Sequence, residues 1–189
     1  MPISTSNRIR IIGGRWRSRI IEFPPAEGLR PTPDRVRETL FNWLDQDLSG
    51  KRCLDLFAGA GGLGFEALSR NAMKLCMVEK AAVVYRSLQR NAEKLDAGQH
   101  LRLLRADALE FLRADHEQYD IVFVDPPYGS ELLKQVWPLL PARLAAGALV
   151  YAENDRAIAA QPGWQVLKSG RAGGVYFYLF QYAADEQYE

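Results

Sequence analysis

The sequence is short of cysteine, histidine and long apolar runs, and each shortage removes a class of protein. Among 189 residues there are two Cys and two His. Cys53 and Cys76 sit in apolar, strand-like stretches without Cys-x-x-Cys spacing, so they read as reduced core thiols, and neither a disulfide framework nor a metal site is expected. No stretch approaches the roughly 18 apolar residues of a membrane span. The Arg-rich N-terminus has no continuous apolar h-region, so it does not read as a secretory leader and a cytoplasmic protein is expected. Lysine is missing from residues 1–37, which hold eight Arg and three acids, a net of +5. The rest of the chain carries −4. A basic arm on a mildly acidic body points to contact between the arm and a polyanion. Arg can also simply solvate a surface strand, but Arg without Lys favours bidentate phosphate contact.

The chain length fits one α/β domain and a short appendage. Residues 8–23, RIRIIGGRWRSRIIEF, alternate cationic and apolar side chains at period two, which predicts a β-hairpin turning between Gly13 and Ser18. One face would carry Ile9, Ile11, Ile20 or their neighbours. Thr32 can cap a helix with Pro33 at its first position and Asp34 near its positive end. Val36, Leu40, Phe41 and Leu44 give that helix an amphipathic spacing to about residue 46. The organisation read from this is a basic hairpin-and-helix appendage over 1–46, a main domain over 47–184 and a frayed acidic tail over 185–189.

From Lys51 strands and helices alternate. Strands are expected near 52–57, 74–79, 101–105, 120–124 and 147–152, and helices near 63–71, 81–95, 107–114 and 130–142. This order predicts a doubly wound α/β, Rossmann-like parallel sheet, closed by an antiparallel hairpin over 164–168 and 175–182. The first strand runs into Asp55-Leu-Phe-Ala-Gly-Ala-Gly-Gly-Leu-Gly64. Gly59, Gly61 and Gly64 make G-x-G-x-x-G, and Glu79 ends the second strand, where an acid meets ribose hydroxyls. Such a loop suits the adenosine of a dinucleotide or of S-adenosylmethionine equally. Asp55 at its mouth would repel a pyrophosphate and favour an ammonium and a sulfonium; it could also cap the loop's own amides. Asp107 could accept from an adenine amine or cap the helix after it.

The fourth strand, Ile121–Val124, ends in Asp125-Pro126-Pro127-Tyr128. Ligands of open α/β sheets bind beyond the carboxyl ends of the strands. Pro127 holds Pro126 extended, so the Asp125 carboxylate and the Pro126 carbonyl can present two fixed acceptors to a group with two N–H hydrogens. An exocyclic base amine is such a group, and the positive charge it gains on attack would be stabilised by the carboxylate. Tyr128 would stack on the extruded base. Without a ligand the tetrad would be a rigid turn after a buried strand.

With these motifs placed, the chain resembles the bacterial 16S rRNA guanine-N2 methyltransferases of the RsmD type along nearly its whole length. The resemblance rests on Arg10–Arg17, on Leu29–Leu44, on the Asp55–Arg70 loop and helix, and on Val124–Tyr128. It implies a class I methyltransferase fold and S-adenosylmethionine as cofactor. It also implies, as substrate, one guanine of 16S rRNA in the small ribosomal subunit or its assembly intermediate, with the protein acting as a monomer. The implied catalytic residues are Asp125, Pro126 and Tyr128. The implied cofactor contacts are Arg30, Thr32, Asp55, Phe57, Gly59, Gly61, Gly64, Glu79, Lys80, Asp107 and Ala108. The RNA contacts expected are Arg8, Arg10, Arg15, Arg17, Arg19, Arg35 and Arg37. Three rival readings stand beside this one: an adenine-N6 or cytosine-N4 methyltransferase, a nicotinamide-dependent oxidoreductase, and an RNA-binding protein with an inactive methyltransferase fold.

Overall fold

A computed structural model describes residues 7–183, so the expected tail over 185–189 lies outside the described residues. Apolar alternation in the strands dictates two packed faces. Strands β3 (Arg52–Asp55), β4 (Lys74–Glu79), β5 (Leu101–Arg105), β6 (Tyr119–Val124) and β7 (Leu144–Asn154) pair in parallel, with β8 (Trp164–Ala172) and β9 (Val175–Tyr182) completing the sheet. The sheet order is β5-β4-β3-β6-β7-β9-β8, and β9 runs antiparallel to both its neighbours. Cys53, Leu75, Met77, Ile121, Phe123 and Tyr151 pack into one core, while Leu54, Cys76, Val78, Val122, Val124 and Val150 pack into the other. This is the period-two division that strands buried on both faces require.

Helices α2 (Gly62–Ser69) and α3 (Ala82–Leu95) cover the first face, and α4 (Ala108–Ala114) and α5 (Leu132–Val136) the second. The expected helix over 130–142 is cut to the five residues of α5. Pro138 and Pro141 lack the amide that would continue its ladder, and a 3-10 turn, Pro141–Arg143, replaces the last part.

The N-terminal hairpin, β1 (Asn7–Arg10) and β2 (Ile20–Phe23), pairs Ile9 with Ile21 and closes through a turn in which Arg17 donates to the Gly14 carbonyl. Ile9, Ile11, Ile21 and Phe23 face inward; the inward residue is Ile21, not Ile20. Helix α1 (Asp34–Trp43) follows. The hairpin and α1 share the core of the first sheet face, so no break in packing falls at residue 46. Docking is specific. Asn91 of α3 donates to the Glu22 carbonyl and accepts from the Glu22 amide, as a neighbouring strand would. The hairpin loop rests on the end of α2, where Arg15 and Trp16 donate to Ser69. Gly14 is required there: its φ is +77°, and a Cβ would stand 1.9 Å from the Ser69 carbonyl oxygen.

Two sequence expectations for this region are corrected. Thr32 does not cap α1. The cap residue is Pro33, and the Thr32 hydroxyl turns instead to a buried carboxylate on β7. Arg37 is not available to RNA, being 1% exposed. Residues 36, 37, 40 and 41 form one helical stripe, so position 37 points into the core. There its guanidinium meets Glu66 of α2 at 3.3 Å, Asp34 at 2.6 Å and the Arg10 carbonyl at 3.0 Å. Glu66, fully buried, also binds Arg70 at 2.9 Å and accepts the Ile12 and Gly13 amides at 2.9 and 2.8 Å. One carboxylate thus ties hairpin, α1 and α2 together.

Removing one partner of a buried charge network leaves the others uncompensated. Glu66→Ala is therefore expected to cost about 3–5 kcal/mol in urea unfolding, with trypsin cutting first at Arg15, Arg17 or Arg19. A loss under about 1 kcal/mol with an uncut arm would contradict the hub.

Candidate active site

Five neighbouring parallel strands each deliver an acid to their carboxyl edge: Asp55 ends β3, Glu79 ends β4, Asp107 follows β5, Asp125 follows β6 and Glu153 lies at the end of β7. Since Val124 pairs with Ala152, Asp125 and Glu153 stand side by side. A cleft of about 390 Å³ opens over this edge. It is lined by Arg30, Thr32, Asp55, Phe57, Gly59, Glu79, Lys80, Asp107, Ala108, Asp125, Pro126 and Tyr128. These are all the sequence-selected cofactor and catalytic candidates except Gly61 and Gly64. Gly61 supplies the left-handed turn that starts α2, with φ +87° and a Cβ position 2.7 Å from the Phe65 ring. Gly64 packs against Asp55 and donates its amide to it at 3.0 Å.

The loop's amides show which ligand it can hold. A dinucleotide fold keeps such amides free for pyrophosphate. Here Gly59 donates to Glu79 at 3.0 Å, Gly61 to the Ala58 carbonyl at 2.8 Å and Gly64 to Asp55. Acids occupy two of the three. The nicotinamide reading therefore loses both the donors and the electrostatics it needs. Asp55 turns out to be a buried anchor of the loop, 1% exposed, as well as part of the cleft floor. Glu79 takes the Gly59 and Ala81 amides on separate oxygens, which fixes its carboxylate and leaves lone pairs for ribose hydroxyls. Asp107 is the N-cap of α4 through the Leu109 and Glu110 amides, and its other oxygen takes Lys80 at 3.1 Å. Lys80 is the main reason its carboxyl sits below the ordinary range.

The floor of the cleft is short of positive charge. Burial pushes the Asp55 carboxyl up to about 7, with Glu79 and Glu153 adding repulsion against the Gly64 amide. Burial also raises Asp125 well above the usual range, and the neighbouring Glu153 and Asp55 charges add to it. A ligand bearing positive charge relieves this crowding, and S-adenosylmethionine, with a sulfonium and an ammonium, fits it. Tyr128 stands at the cleft wall with the Arg30 guanidinium 5.8 Å from its ring centre. Glu153, 1% exposed, lies behind Asp125 and was missed by sequence reasoning, as was its partner Tyr151. The signal was present, since an acid directly follows the apolar run of β7.

Beside the cleft runs a second groove of about 520 Å³, lined by Arg8, Arg10, Ile20, Pro33 and Asp34 and sharing Pro31 and Thr32 with the cleft. Arg15, Arg17, Arg19 and Arg35 are exposed on the same N-terminal region. Arg15 lies over the Trp16 ring, and Arg19 donates to the Lys94 carbonyl.

The chain is similar to known methyltransferases in sequence and in fold. Residues 9–181 match the family model described as Conserved hypothetical protein 95. The chain is 43% identical to Ribosomal RNA small subunit methyltransferase D of Escherichia coli (strain K12), covering 94% of this chain and 92% of the relative. Its counterpart of the same description from Haemophilus influenzae is 39% identical, covering 94% and 96%. Among solved structures, "Putative methyltransferase yhhF from Escherichia coli" superposes with a TM-score of 0.83 at 42% identity, covering 95% of this chain and all of that one. The protein SMU.776, solved in complex with SAH, superposes at 0.73 and 15% identity over 96% of this chain and 57% of its own, a likeness of fold alone. The fold is that of the class I methyltransferases.

Because the Asp55 carboxyl is raised in the fold, its contribution to stability is complete below the ordinary Asp value and fades as pH climbs through about 7. The free wild-type protein should lose stability relative to Asp55→Asn between pH 4 and 7, by up to about 1.4 kcal/mol per pH unit. Denaturant unfolding of both across that range checks this; parallel curves would contradict it.

Proposed function

This chain belongs to the Conserved hypothetical protein 95 family, that of the small-subunit ribosomal RNA methyltransferases D, and from that premise we propose that it methylates the N2 amine of a guanine in small-subunit (16S) rRNA. The observation that carries the reading is the acid-floored cleft with Asp125 and Pro126 at its edge. Guanine as the base is supported by the family likeness; the acceptor pair itself suits any exocyclic amine. The same reading has the protein act in the cytoplasm as a monomer, on the small subunit or on a particle being assembled.

S-adenosylmethionine, when bound, supplies an electrophilic methyl carbon. Glu79 would hold its ribose hydroxyls, Asp107 and Ala108 would meet the adenine edge, and Asp55 with the glycine loop would face its positive end. The remaining work falls to the chain. The Asp125 carboxylate and the Pro126 carbonyl accept the two N–H hydrogens of the target amine. Gripped in this way, the nitrogen turns its lone pair out of the ring plane and toward the cofactor side of the cleft. As the nitrogen–carbon bond would form and the donor's sulfur–methyl bond break, leaving a neutral thioether, positive charge would gather on nitrogen; Asp125 would stabilise it and take the surplus proton. Tyr128 offers a face for the extruded base. Stacking of about 1–3 kcal/mol per base offsets part of the unstacking cost. The groove bearing Arg8 and Arg10, and the exposed Arg15, Arg17, Arg19 and Arg35, suit the phosphate backbone beside the target.

Incubating the protein with labelled methyl donor and small ribosomal particles, then digesting to nucleosides, tests the reading. N2-methylguanosine is the expected product, and a different methylated base would overturn the assignment. Asp125→Ala should lower turnover at least about 10²-fold with cofactor affinity little changed; wild-type turnover would refute the grip. Replacing Arg15, Arg17 and Arg19 together with Ala should weaken RNA binding and lower the salt slope by up to about one per lost phosphate contact. Unchanged affinity would remove the arm from the RNA interface.

A further inference from the structure

Glu153 does not line the cleft, yet it is bound to a residue that does. Its Oε1 accepts from the Thr32 hydroxyl at 2.7 Å and from the Tyr151 hydroxyl at 2.7 Å. Thr32 Oγ1 is 3.5 Å from Asp125 Oδ2. One hydroxyl therefore stands between two acids. A hydroxyl has a single proton to give, and the shorter contact shows that Thr32 commits it to Glu153. Burial raises the Glu153 carboxyl too, but its hydroxyl donors pull against that rise, so of the two acids Glu153 holds the negative charge more readily, while Asp125 keeps only the long contact. In a buried site a neighbouring anion opposes a second one. The other groups facing the pair do not cancel this. Asp55 on β3 and Asp155 beyond β7 are acidic, Tyr128 and Tyr151 are neutral, and the Arg30 guanidinium lies against the Tyr128 ring, 5.8 Å from its centre.

We propose that Glu153 is a positioning residue which, through the Thr32 hydroxyl, keeps Asp125 protonated in the empty cleft and lets it become an acceptor when a cationic methyl donor enters. The Asp125 O–H bond then breaks, its proton passes to solvent, and the freed oxygen accepts the amine hydrogen. No electrons change hands. Thr32 belongs to the segment between the hairpin and α1, so the N-terminal region completes the active site chemically as well as sterically. The inference rests on the methyl-transfer reading only for its consequence in rate; the charge coupling is a property of the free protein.

Carboxyl 13C resonances of aspartate in the full-length protein, with Asp125 assigned through Asp125→Asn, test the coupling without RNA. The Asp125 midpoint should fall when S-adenosylmethionine is added, and it should fall in the unliganded Glu153→Gln variant, where Gln still accepts from Thr32 and Tyr151. Thr32→Val should lower the midpoint, because Glu153 then loses a donor that favours its anion, and Thr32→Ser should restore it. An Asp125 midpoint unmoved by Glu153→Gln, or by the donor, would overturn the proposal. If Glu153→Gln fails to fold, the Thr32 pair decides alone. In the methyl-transfer assay the acid limb of kcat/KM should shift to lower pH in Glu153→Gln. Its fraction of plateau activity should then exceed that of wild type by up to about tenfold per unit of displacement. A lowered plateau with an unmoved limb would mark Glu153 as merely structural. Titrations that behave as stated in a protein producing no methylated guanine would sink the functional reading and leave this coupling intact.

Discussion

Like charges held together in a buried place are the constraint on which this structure turns. Parallel pairing brings the carboxyl ends of five strands to one edge, and the sequence puts an acid at each. Water cannot fully solvate carboxylates such as Asp55 and Glu153, and nearby side chains provide little positive charge. Backbone amides and hydroxyls stabilise part of this charge, as Gly64 does for Asp55 and Thr32 for Glu153. The remainder is left for a ligand. That explains why a loop with the dinucleotide spacing of glycines serves a cationic cofactor: of its three glycine amides two are held by acids and one by a backbone carbonyl.

A second buried carboxylate solves the opposite problem. Glu66 is compensated on all sides, by two guanidiniums and two amides. Because its partners come from the hairpin loop, α1 and the end of α2, it holds the basic arm against the helix whose other end carries the glycine loop. Arm and cofactor site are therefore one rigid construction, and the groove carrying Arg8 and Arg10 meets the cleft at Pro31 and Thr32. That groove thus opens beside the cleft lined by Asp125 and Tyr128.

Much of this was legible in the sequence, for reasons that can be named. Apolar runs bounded by turn residues located β4 and β6, because strands buried on both faces admit little else. The Asp125-Pro126-Pro127-Tyr128 tetrad was readable because prolines fix the backbone locally. Features that depend on distant partners were harder to read. Thr32 has the local setting of a helix cap, and only the fold shows that Glu153, far away in sequence, takes its hydroxyl. Arg37 was weighed by its charge when its helical period placed it inside. Asp55 was read both as facing the ligand and as able to cap the loop's own amides, and the fold shows the second in its bond from the Gly64 amide. Glu153 sits just beyond where the apolar run of β7 ends, and the rule that acids gather at strand ends would have found it.

Proton release on ligand binding tests the crowded-acid account most directly. Calorimetric titration of S-adenosylmethionine into the protein near pH 7, in two buffers of different ionisation enthalpy, counts the protons exchanged. The account requires net release as the raised carboxyls ionise against the incoming cation, and less release for the neutral thioether product. Heats that agree between the two buffers, or a net uptake of protons, would contradict it.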